Sequence, residues 1–123
     1  MKKKLFISFM LVLFLIGSVS AAQYVDVIGY TPFAFERITA TTATVSRLNA
    51  TYRESAGAVF ITVETNNIRY RIDAGNPDAV NGHLVVATSY QNIWLNDPYS
   101  IKNFRSIAIG GNSTLTVTYY RKN

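Results

Sequence analysis

Apolar and polar residues alternate most cleanly in the middle of the chain. In Ala58-Val59-Phe60-Ile61-Thr62-Val63-Glu64, the residues Val59, Ile61 and Val63 fall on one side and Phe60, Thr62 and Glu64 on the other. Ile68, Tyr70 and Ile72 alternate in the same way with Arg69, Arg71 and Asp73. A period of two is the mark of a strand with one buried face. Thr65-Asn66-Asn67 reads as a tight hairpin connection between these two strands, because Asn tolerates the left-handed backbone of such turns. Residues 104–109 and 114–120 repeat the arrangement across Gly110-Gly111-Asn112, with Leu115, Val117 and Tyr119 opposed to Thr116, Thr118 and Tyr120.

Elsewhere the pattern is shorter. Residues 24–28 form a candidate first strand, halted by Gly29 and Pro32. Residues 39–45 read as extended, and 45–52 as either strand or irregular chain. Residues 83–88 and 91–95 are two further strands, preceded by the turn chemistry of Ala74-Gly75-Asn76-Pro77-Asp78 and Asn81-Gly82 and followed by that of Asn96-Asp97-Pro98. No helical stripe of useful length follows residue 22. Seven or eight short strands with frequent turn signals predict an all-β chain, a single antiparallel β-sandwich (jelly-roll or immunoglobulin-like) or a small barrel.

The N-terminus breaks the pattern altogether. Lys2, Lys3 and Lys4 precede an unbroken apolar run from Leu5 to Ile16, followed by Gly17-Ser18-Val19-Ser20-Ala21-Ala22. A charged start, an apolar stretch and a small-residue exit are the parts of a secretory signal peptide. The run is shorter than the roughly 20 apolar residues of a spanning helix, so a retained anchor is the weaker reading. The expected organisation is a signal helix over residues 1–22, cut near Ala22, and one domain over 23–123, exported to the periplasm or beyond. Membrane contact is then expected only through an uncleaved signal.

Charge changes meaning once that segment is set aside. The whole chain holds 12 basic and 7 acidic residues, net +5, but three of the basic ones are the signal lysines. The remainder carries nine against seven, +2, which gives no footprint for nucleic acid. There is no cysteine, hence no disulfide to support a small exported core and no lipoprotein anchor.

Candidate chemistry is sparse. With one histidine, His83, and no thiol, a Cys–His site is excluded and zinc disfavoured. His83 reads as a turn residue bonding backbone. Asp73, Asp78 and Asp97 lie in or near turns and lack the close alternation of a calcium loop, so no metal and no cofactor is expected. Arg69, Arg71 and Asp73 form an outward row that can grip an acidic partner or simply remain solvated and blunt aggregation. Tyr90, Trp94 and Tyr99 can line a glycan platform. Trp94, between Ile93 and Leu95, reads more readily as core, whereas Tyr90 and Tyr99 read as exposed.

From residue 56 to 121 the chain resembles a family of small β-sandwich proteins. The residues that carry the likeness are Ile68-Arg69-Tyr70-Arg71-Ile72-Asp73-Ala74-Gly75-Asn76-Pro77, Gly82-His83-Leu84, Phe104-Arg105 and Leu115-Thr116-Val117-Thr118-Tyr119-Tyr120-Arg121. The family is that of virion-associated proteins from the structural modules of tailed phages and prophages. Ala74 departs from it, standing where the pattern often has Gly. The resemblance implies a non-enzymatic structural module making protein–protein contacts or self-associating, and a virion location if the signal is not used. The N-terminus favours the alternative, an exported carbohydrate-binding or adhesive domain.

Overall fold

The computed structural model describes residues 29–123, so the expected signal helix and the candidate strand at 24–28 lie outside the described residues. Within them the chain runs β1 (Tyr30–Ala40), β2 (Ser46–Arg47), α1 (Ala50–Ser55), β3 (Ala58–Glu64), β4 (Ile68–Arg71), β5 (His83–Val85), β6 (Ile93–Leu95), α2 (Pro98–Asn103), β7 (Arg105–Ala108) and β8 (Ser113–Lys122). The strands form two four-stranded antiparallel sheets, ordered β1-β8-β3-β6 and β2-β7-β4-β5. The all-β expectation holds.

The alternating residues decide which side of each strand is buried. Val59, Ile61 and Val63 of β3 lie opposite Tyr119, Val117 and Leu115 of β8, and all six are buried. Such cross-strand pairs are the unit of sheet stability, and each fully buried Val, Leu or Ile contributes roughly 1.5–3 kcal/mol. Ile68, Val85 and Ala108 of the second sheet join the same hydrophobic cluster, with Ile101 of α2 and Phe104.

Both expected hairpins prove to be crossings between sheets. β3 and β4 lie in different sheets, as do β7 and β8. The left-handed residue of the first connection is Thr65, at φ 80°, and neither Asn66 nor Asn67 takes that conformation. The asparagines instead join the two crossings. Asn66 Nδ2 donates to the Asn112 carbonyl at 2.8 Å, the Ile109 amide donates to Asn67 O at 2.9 Å, and Ser113 Oγ donates to Asn66 O at 2.7 Å. Glycine suits position 111, because its φ of 152° is one that other residues rarely adopt and a Cβ on it would push Asn66 Nδ2, 2.8 Å away.

Three other boundaries move. Pro32 does not stop a strand but lies inside β1, at the edge of its sheet, where the register shifts between Pro32 and Ala34. An edge position with a bulge tolerates the missing N–H. Extended chain ends at Ala40, short of residue 45, and the strands expected at 83–88 and 91–95 shrink to three residues each. The segment 45–52 holds β2 and the start of α1, and Asn96-Asp97-Pro98 starts a helix as well as ending a strand. Asn49 caps α1 by accepting from the Thr51 and Tyr52 amides, and Asp97 caps α2 by accepting from Ser100 N at 2.8 Å, with Pro98 in the first turn. Six-residue helices are too short to show a helical stripe.

Candidate functional site

The row Arg69, Arg71 and Asp73 is brought together on β4 and the loop that follows it, but its groups face that loop. Arg69 Nε donates to Ala79 O at 3.1 Å and its Nη1 to Gly82 O at 2.8 Å. Arg71 grips Asp73 with two bonds of 2.9 and 2.6 Å. Asp78 accepts from the amides of Val80 and Asn81, and Arg105 donates to Asn76 Oδ1 at 2.6 Å. The Arg71 hydrogen bond holds the Asp73 carboxyl down at about 2, and bonds from Asn81 hold Asp78 at about 2. Gly75 lies beneath the Arg71 guanidinium, since a Cβ there would meet Cζ at 2.4 Å. An open cleft of about 370 Å³ lies beside this clamp, lined by Arg71, Ile72, Asp73, Gly82 and His83. His83 is the first residue of β5 rather than a turn residue, and its exposed ring lies 5.2 Å from that of Tyr70.

The three aromatic candidates separate. Tyr90 stands wholly exposed in the loop before β6, and Tyr99 is exposed in the first turn of α2. Trp94 is not core: it is 47% exposed on β6, while Ile93 and Leu95 are buried. The flanking apolar residues that suggest burial are what turn it outward, since successive strand residues face opposite ways.

Trp94 belongs to a different aromatic group. The strand registers set Phe35 of β1 opposite Thr118, Thr118 opposite Phe60, and Phe60 opposite Trp94, one residue from each strand of the first sheet. The Trp94 ring lies 6.1 Å from Phe60, 5.4 Å from Tyr120 and 6.0 Å from Tyr30, the last edge-on. Phe35 is 59% exposed at the far end of the row. The next row runs Arg37–Thr116–Thr62, and both Arg37, at 3.6 Å, and the Thr116 hydroxyl, at 2.9 Å, reach Glu64 of the row after it. Tyr30, Phe35, Phe60 and Tyr120 are functional candidates that sequence reading missed. Its one legible trace is the polar half of each alternation, where Phe60 and Tyr120 stand among threonines.

The electrostatics of this face are quiet. Behind it, buried Tyr119 donates its hydroxyl to Glu36 and accepts from Asn49 N at 3.1 Å. Burial, then the Glu36 bond, pushes the Tyr119 hydroxyl far up, so it stays protonated. Among the described residues no group of three His, Asp or Glu side chains converges on a metal position, and no helix is long and apolar enough to cross a membrane. What the face can do is stack and bury apolar surface. Compared with known protein families, curated proteins and solved structures, the chain matches none.

Proposed function

We propose that this chain is a non-enzymatic binding module, its two sheets forming a single β-sandwich, and that its working surface is the outward aromatic face of β1, β8, β3 and β6. The observation that carries this reading is the row Phe35–Thr118–Phe60–Trp94, which crosses all four strands with two of its aromatic side chains widely exposed. Large aromatic side chains each hide about 150–250 Å² when covered, and contiguous exposed ones mark docking surfaces. The arginine row is a weaker candidate because its hydrogen bonds are already taken by its own loop. Strand addition is disfavoured for a similar reason. One edge strand of this sheet carries Pro32 and a bulge, and the other is three residues long.

Export after cleavage near Ala22 would place this face towards an envelope or extracellular partner. The motifs resembling phage virion proteins fall largely on the clamp around residues 69–82, and so speak for a shared loop architecture more than for a shared partner. The test is retention of the purified protein on the envelope fraction of producing cells. Wild type should be held, and the triple variant Phe35→Thr, Phe60→Thr, Trp94→Thr should wash through with its far-ultraviolet circular dichroism unchanged. Equal retention of both would remove the face from consideration.

A further inference from the structure

Resting on that reading, we infer that the occupant of the aromatic face is an uncharged glycan chain. Charge is the first argument. The row Phe35–Thr118–Phe60–Trp94 carries none, nor do Tyr30 and Tyr120 beside Trp94, and the charges at one end, Arg37 and Glu64, neutralise each other at 3.6 Å. A polyanion, whether acidic polysaccharide or nucleic acid, needs several cations along its path, and the aromatic row itself holds none: Arg37, opposite Thr116, is paired with Glu64, and Lys122, opposite Tyr30, is a single cation at the other end.

Size is the second argument. Four strands spaced about 4.8 Å apart, with the three residues of β6 setting the length at about 3.4 Å each, give the patch a footprint of only about 150–200 Å². A stable second copy or globular partner covers about 800 Å² on each side. The patch suits a narrow chain. Shape then selects the chain. A peptide would need a free strand edge or pockets for alternate side chains, and this sheet face supplies rings in a row with hydroxyls between them. Pyranose rings present flat faces of C–H groups that stack on aromatic rings, while their hydroxyls project sideways to where Thr118 and Thr62 lie.

Two measurements decide the matter. The chain has one tryptophan, so Trp94 fluorescence reports binding directly. Titration with soluble neutral polysaccharides (a mixed-linkage β-glucan, a mannan and a xylan) should blue-shift the emission for at least one of them. Phe35→Thr and Phe60→Thr should each weaken that binding by roughly 3- to 10-fold, whereas Tyr90→Ala and Tyr99→Ala should not alter it. A response confined to acidic alginate or hyaluronate would overturn the proposal. So would a dimer in sedimentation velocity that the triple variant abolishes.

The second measurement repeats the envelope retention after periodate oxidation, which destroys sugar rings, or after protease digestion. Loss with periodate alone supports the glycan. Should the triple variant fail to bind while wild-type retention survives periodate and dies with protease, the glycan is wrong and the docking face stands. Where the triple variant is retained as well as wild type, both readings fall.

Discussion

Asp73 and Asp78 show how much of the visible polar chemistry serves the chain itself. Each carboxylate is held at about 2, against an ordinary value near 3.8, by Arg71 and Asn81 respectively. A carboxyl more acidic in the folded chain than in the unfolded one adds stability above its unfolded pKa. That contribution disappears as pH falls through the folded value. Urea midpoints should therefore drop between about pH 4 and pH 2, and the drop should be shallower in Asp73→Asn and Asp78→Asn, modestly because both groups face water. Buried hydroxyls give a sharper contrast. Ser106 Oγ is buried without a hydrogen-bond partner among the described residues, so Ser106→Ala should be neutral or stabilising by up to about 1 kcal/mol. Tyr119→Phe deprives Glu36 of a donor and should cost about 1–2 kcal/mol by chemical denaturation.

Between strands, the loop from β4 to β5 is the element most dependent on one side chain. Arg69 holds the carbonyls of both Ala79 and Gly82, and Gly82 takes φ 122°, a conformation that favours glycine. Limited proteolysis of Arg69→Ala should cut within residues 73–82 well before wild type is cut anywhere among residues 29–123. Equal cutting rates would mean that the Asp73 and Asp78 turns hold the loop without Arg69. The motif at residues 68–77 thus has a physical reading in which its arginines, glycine and aspartate fold a long connection back onto the sheet.

At the scale of the whole molecule, inward and outward faces of the same strands answer to different demands. Ile61→Ala in the fully buried centre of β3 should cost about 2–5 kcal/mol. Trp94→Thr, on the outer face, should shift the melting temperature little, since the ring is half exposed and threonine suits a strand. Loss of binding without loss of stability is the pattern that separates a working face from a structural one. The export proposal has its own check. Peptide mass spectrometry of native material should find a mature N-terminus at Gln23, whereas an intact Met1 end on dense particles would point to a virion component.

Strand existence and facing were legible from the chain alone wherever alternation was strict, as at Val59, Ile61 and Val63 or at Leu115, Val117 and Tyr119. The reason is local: a period of two follows from backbone geometry and needs no knowledge of the partner strand. Pairing is a non-local matter. That β3 and β8 lie side by side while β4 and β7 pair in the other sheet rests on contacts between residues some 50 positions apart, such as Val63 and Leu115. The tight connections at Thr65-Asn66-Asn67 and Gly110-Gly111-Asn112 were visible, but whether each closes a hairpin or changes sheet was not. The candidate site suffered the same limit. Trp94 was legible as a candidate residue, yet Phe35, Phe60 and Tyr120 become its neighbours only once the register of four strands aligns them across one face.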